Sequence, residues 1–178
     1  ALAQIAASNG RVVVSGHVVG IDLAAHLGAL DVEGKTIGVV ADILRYPDLN
    51  YFYPPMSYID KGVFTYSGCL VTEHGERPNS PREERIMARN RITSALSDIV
   101  LVVESKEDRG AIDCAKRAFL QGKRVYAINW QYVPLEYKVD MPKESGNRQL
   151  FNEGIASGFP SKNVNSIEEL GVEFEHFL

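Results

Sequence analysis

Three stretches carry residues whose types and spacing suit the capture of an anion. In Val14-Ser15-Gly16-His17-Val18-Val19-Gly20-Ile21-Asp22, a hydroxyl and two glycines separate an apolar run from an Ala- and Leu-rich one. A strand that turns into a helix in this way leaves free N–H groups at the helix start, and these attract negative charge. Gly16 and Gly20 permit positive φ and close approach of the backbone. The turn itself contains no Gly-Lys-Ser/Thr and no full Gly-x-Gly-x-x-Gly, so it is neither a Walker loop nor a dinucleotide fingerprint. A purely structural turn is the alternative. The second stretch, Arg82-Glu-Glu-Arg85-Ile-Met-Ala-Arg89-Asn90-Arg91, has four Arg and two Glu. Arg85 and Arg89 share a helical face, and a guanidinium fork matches phosphate. The competing reading is a solvated face with intrahelical Glu–Arg pairs. The third stretch is Glu104-Ser-Lys-Glu-Asp-Arg109-Gly110-Ala111. Arg109 and the N–H groups from Gly110 onward would complete an anion pocket, or form an ordinary strand-to-helix connection.

Other reactive residues point to packing. His17 reads as a phosphate donor or as an exposed loop side chain. His26, within Ala-Ala-His-Leu, reads as a core histidine, and Asp22 as a helix cap. His74 and His176 lack partners at ligand spacing, so no metal site or metal cofactor is expected. No Gly-x-Ser-x-Gly elbow is present, and no catalytic residue is assigned. Tyr46, Tyr51, Phe52, Tyr53 and Tyr58 would stack on bases or pack a loop onto the sheet rim. Cys69 and Cys114 form no disulfide framework and read as small core residues.

The elements that must hold these residues alternate. Helical stretches are expected at Leu2–Ala7, Ile21–Val32 (stopped by Gly34), Ser57–Tyr66, from the Ser80-Pro81 start to Leu96, Ala111–Gln121, Gln149–Glu153 and Ile167–Leu170. Strands are expected at Val12–Val14, Thr36–Val40, Leu70–Val71, Ile99–Val103 and Arg124–Ile128, and an irregular loop at Asn129–Asn147. Strands alternating with helices predict parallel βαβ units, and the unbroken Ile99–Val103 run suits a strand covered on both faces. The expected architecture is a Rossmann-like, doubly wound, mainly parallel α/β sheet with helices on both faces, in one domain over residues 1–178. Ligands of such sheets bind beyond the carboxyl ends of the strands.

The chain has 178 residues, 45% hydrophobic and 24% charged, with a formal net charge of −4. That balance excludes intrinsic disorder, collagen and coiled coil. An acidic chain does not bind nucleic acid through bulk charge, so any such binding is local. No signal or membrane-spanning pattern is visible; two cysteines without a disulfide framework lead to the expectation of a cytoplasmic protein. The start at Ala1 suggests part of a longer protein.

Taken in order, these pieces resemble the Rossmann-like domain of the DNA-processing protein A (DprA/Smf) family. The resemblance rests on Ser15-Gly16-x-x-x-Gly20-Ile21-Asp22-x-x-Ala25-His26-x-Gly28-Ala29-Leu30, Tyr53-Pro54-Pro55, Arg89-Asn90-Arg91-Ile92, Leu96-Ser97-Asp98 and Val102-Val103-Glu104. Gly122-Lys-x-Val125-x-Ala127 and Gly146-Asn147-x-x-Leu150-x-x-x-Gly154 complete it. It implies a non-enzymatic homodimer that binds and protects single-stranded DNA in natural transformation and hands it to a RecA-type recombinase. It places the phosphate site at Ser15, Gly16, Gly20, Ile21, Asp22, Arg89, Asn90, Arg91, Glu104 and Gly110. His17, Arg85, Arg109 and Ala111 join from the reading of the residues themselves. The family usually carries Arg where Val19 stands, a hydroxyl-bearing turn where Arg109-Gly110-Ala111-Ile112-Asp113 stands, and Pro-Gly where Asn129-Trp130 stands. Its opening strand with a Gly-Ser-Arg turn is absent. A nucleotide-binding or nucleotide-sensing domain is the alternative. Phosphoribohydrolase activity is not expected, because Asp108–Asp113 lacks the double Gly, Thr and Glu of those related enzymes.

Overall fold

The structure, a computed structural model, describes residues 1–41, 68–75, 79–134 and 144–178. The Ser57–Tyr66 helix, Tyr53-Pro54-Pro55 and the cluster Tyr46, Tyr51, Phe52, Tyr53, Tyr58 lie outside the described residues. The chain divides into two compact units, residues 1–89 with Leu178, and residues 90–177.

In the first unit, β1 (Val13–Ser15), β2 (Thr36–Val39) and β3 (Gly68–Val71) form a parallel sheet in the order β1-β2-β3. Val13 pairs with Thr36, and Thr36 with Gly68. Helices α1 (Leu2–Ser8) and α2 (Ile21–Leu30) pack against each other, with Gly28 against the Ala3 methyl. The sequence suggested that α2 stops at Gly34. The left-handed residue is instead Glu33, at φ 56°. Gly34 is required for another reason: a Cβ there would collide with Ala7. Ala29 and Val39 are fully buried.

Helix α3 (Arg82–Ala95) contains the boundary between the units. In the second unit, β4 (Ile99–Val102), β5 (Arg124–Ile128) and β6 (Ser157–Phe159) form another parallel sheet, in the order β4-β5-β6. Its core joins Val102, Val125 and Ala127 to Ile112, Ala115 and Ala118 of α4 (Gly110–Leu120) and to Leu150 of α5 (Ser145–Asn152). Truncating a fully buried leucine such as Leu150 to Ala removes about 2–5 kcal/mol. Helix α4 ends as its sequence asks: Gly122 takes φ 73° and Lys123 N donates to Ala118 O at 3.0 Å. Helix α6 (Ile167–Glu175) is capped by Ser166, whose hydroxyl accepts from Glu169 N. It docks through Phe174 on Phe159, with ring centroids 5.5 Å apart.

The parallel α/β architecture agrees with the sequence reading. Three expectations are corrected. Cys69 is exposed on β3 and Cys114 half-buried on α4, so neither is a core residue. The loop expected through Asn147 ends earlier, because α5 starts at Ser145. Strand β6 lacks the apolar run by which the other strands declare themselves, and was not expected. Among the described residues, no helix is long and apolar enough to cross a membrane.

Candidate nucleic-acid interface

The β1–α2 turn is tied to its own helix. Ser15 Oγ donates to Asp22 Oδ1 at 2.7 Å, and Val18 N donates to Asp22 Oδ2 at 3.3 Å. The N-cap of α2 is Gly20, at φ 108° and ψ −128°, a conformation unfavourable to any residue with a side chain. Asp22 therefore acts from the first turn, closing the loop and complementing the helix dipole rather than capping directly. Val19 and Ile21 are exposed. His17 is buried at φ 58°, so the exposed alternative does not apply.

Behind the loop, His17 and His26 meet edge-on with centroids 5.3 Å apart. His26 Nδ1 lies 2.6 Å from Thr36 Oγ1, which donates its only proton to Val13 O at 2.8 Å. The hydroxyl must therefore accept, so His26 carries its proton on Nδ1. Burial, assisted by the charge of His17 and opposed by Asp22, lowers the His26 pKa to about 4. His26 is thus the core histidine that its sequence context suggested.

The arginine stretch is not a solvated face at the two positions that matter. Arg85 and Arg89 are buried at 8% and 6% exposure. Arg85 Nη1 donates to Ser80 O. Arg89 reaches the β1–α2 turn: a Cβ on Gly16 would overlap its Nη1, Nη2 and Cζ atoms. Gly16 thus admits a guanidinium beside the turn whose N–H groups open α2. Two of the three sequence segments meet here, within the first unit.

The third segment belongs to the second unit, with Asn90 and the exposed Arg91. Asn90 Nδ2 donates to Gly110 O at 3.1 Å and to Asp113 Oδ2 at 2.9 Å. Asp113 Oδ2 also accepts from Arg117 Nε at 2.8 Å, and this bond raises the Arg117 pKa. Asn90 thus directs its amide to the first turn of α4. Arg109, the N-cap of α4, is exposed and makes no side-chain cap bond; Gly110 and Ala111 open the helix. Asp108 takes φ 51° and is held by Gln149, which donates to its Oδ1 at 3.1 Å and accepts from its N at 3.3 Å. Glu104 is half-buried at the end of β4.

Sequence reasoning gave no role to Asn147 or Trp130. Asn147, 1% exposed, donates Nδ2 to Val103 O at 2.9 Å and Ile128 O at 3.0 Å, joining the ends of β4 and β5. Beside it, Gly146 N donates to Ser105 O at 2.8 Å, where a Cβ would strike the Ser105 and Lys106 carbonyls. The adjacent Gly146-Asn147 pair was the available signal. It clamps the β4–α4 loop. No group of three or more metal-ligating side chains occurs among the described residues.

Parallel sheets whose glycine turns open helices, one turn backed by a buried Arg, define an α/β protein of the Rossmann-like class. The family described as DNA recombination-mediator protein A matches residues 1–170, and the chain belongs to it. The DNA processing protein DprA of Bacillus subtilis is 34% identical over 119 residues, covering 67% of this chain and 38% of that protein. The chain therefore spans less than half the length of that relative. A structure of DNA processing protein A from Helicobacter pylori, described by its single-stranded DNA binding mode, superposes with TM-score 0.70 at 24% identity. That match covers 99% of this chain and 70% of the other. The X-ray structure of DprA from Streptococcus pneumoniae gives TM-score 0.65 at 30% identity, over 97% of this chain and 54% of that one.

Proposed function

We propose that this chain binds the phosphate backbone of single-stranded DNA through the β1–α2 turn, with Arg89 as the principal cation. The observation that carries the reading is the Arg89 guanidinium lying against Gly16, beside the N-terminus of α2. Ser15, Gly16, His17, Gly20, Ile21 and Asp22 form or brace the turn, and Arg85 supports the same helix. In the second unit, Arg109, Gly110 and Ala111 at the start of α4 offer further N–H donors and charge, with Asn90 bonded to that turn and Glu104 and Arg91 as further residues of the proposed site. The net charge of −4 confines attraction to such local sites. The family description supports a mediator role in DNA recombination; the wider reading we attach to it is of a non-catalytic, cytoplasmic homodimer acting in DNA uptake and passing the strand to a RecA-type recombinase.

The test is anisotropy of a labelled oligothymidylate at several salt concentrations. The logarithm of affinity should fall against log salt with a slope of roughly −0.7 per neutralised phosphate. Arg89→Ala should weaken binding by about 1–3 kcal/mol, the loss of a charge-assisted bond. Affinity indifferent to salt and to Arg89→Ala would overturn the proposal.

A further inference from the structure

The chain has a single tryptophan, Trp130. Trp130 opens the 3-10 turn Trp130–Tyr132 directly after β5. Strands β4 and β5 are parallel, so this turn leaves the sheet at the same edge as the loop Glu104–Arg109, where ligands of parallel sheets bind. The indole Nε1 donates to Val103 O at 3.0 Å. That carbonyl also accepts from the buried Asn147, which is anchored in turn to Ile128 O. The turn beneath the ring is fastened independently: Tyr132 N donates to Asn129 O at 3.0 Å and Gln131 N to Asn129 Oδ1 at 3.3 Å. The indole is thus fixed along its polar edge, half-buried, and paired with no other aromatic ring among the described residues. A ring held rigidly at its edge offers a face at little entropic loss, the economy that makes aromatic platforms effective.

We propose that Trp130 is a stacking platform for one base of a bound single-stranded nucleic acid, a reading that rests on the proposed strand binding and adds a base contact to it. With its N–H committed to Val103, the indole has only its π-face for the base. Recognition is therefore tolerant of sequence and graded by stacking strength.

The single tryptophan reports on itself. Titrating the wild-type protein with oligothymidylate should quench its emission, with the same midpoint as the anisotropy of the labelled strand. Inorganic phosphate and an abasic strand should leave the emission unchanged. Trp130→Ala should weaken binding roughly 5- to 150-fold, whereas Trp130→Phe, which keeps a ring, should retain most of the affinity. Strand binding without quenching, or equal quenching by the abasic strand, would overturn the platform while leaving the backbone site intact. These readouts need no variant to fold. Absence of binding by anisotropy would refute the strand-binding proposal itself, and the platform with it.

Discussion

Replacing Gly16 by Ala isolates the contact on which the binding proposal rests. Gly16 lies outside the left-handed region of φ, so alanine brings no backbone strain. Its Cβ would nonetheless lie far inside the roughly 3.5–4.0 Å of ordinary contact from three guanidinium atoms of Arg89. The backbone of β1 is held by its pairing with β2, so the flexible arginine end must yield. Overpacking of this kind typically removes about 1–3 kcal/mol of stability; relief by one side chain puts Gly16→Ala near the lower end. Binding should suffer more, because the displaced guanidinium no longer meets the phosphate: a loss of about 1–3 kcal/mol, or roughly 5- to 150-fold in Kd. A double-mutant cycle decides the cause. In the Arg89→Ala background the three atoms nearest that Cβ are gone, and the alanine at position 16 should change affinity hardly at all, so the two effects must be strongly non-additive. The assay is oligothymidylate anisotropy on wild type, both single variants and the double, with urea midpoints for stability. Effects that add to within about 0.3–0.5 kcal/mol would show that Gly16 and Arg89 act independently and would refute the reasoning.

Three further outcomes are expected. Val19 is 56% exposed, so Val19→Arg should be tolerated; it should tighten strand binding by up to about fivefold at low salt and steepen the salt slope by roughly 0.7, as measured by the same titration. His26 has a folded-state pKa of about 4 against about 6.5 in the unfolded chain, so the unfolded state takes up the proton first on acidification. Stability is then full above pH 6.5 and declines by about 3 kcal/mol as pH falls to 4. Urea midpoints across that range should fall in wild type and fall less in His26→Gln. Asn147→Asp exchanges a donor placed between two carbonyls for an acceptor facing them; about 3–5 kcal/mol of destabilisation is expected at neutral pH, eased in acid where the carboxyl is protonated. An urea midpoint equal to that of wild type at pH 7 would contradict the clamp.

The alternation of strands and helices was legible because β4 is an unbroken apolar run and β5 is apolar in all but Arg124 and Tyr126. Strand β6 was not, since Ser157-Gly158-Phe159 has neither length nor periodicity and forms by pairing with β5. Helix α5 begins with Ser145, Gly146 and Asn147, weak helix formers that local propensity assigns to a loop. Their carbonyl contacts across the sheet end decide otherwise. The same limit governs the site. The Gly16 turn and the arginine stretch were each visible in the sequence, but the exposure of a helix face depends on what packs beside it. Arg89 is buried because Gly16 makes room, and no spacing rule relates two residues so far apart in the chain. Asn90 resembled a phosphate ligand from its neighbours, yet its amide is directed to Gly110 and Asp113, partners defined only by tertiary structure.

The bond running from His26 through Thr36 to Val13 has a consequence for alignment. Strands of three and four residues have few ladder bonds with which to fix their offset. A shift of β2 by one residue would turn Thr36 to the opposite side of the sheet, orphaning an imidazole N–H in the interior and separating the hydroxyl from Val13. The polar thread therefore acts as a key that admits one setting of β1 against β2. Because β1 runs directly into Ser15 and Gly16, that key also sets how far the glycine turn projects from the sheet.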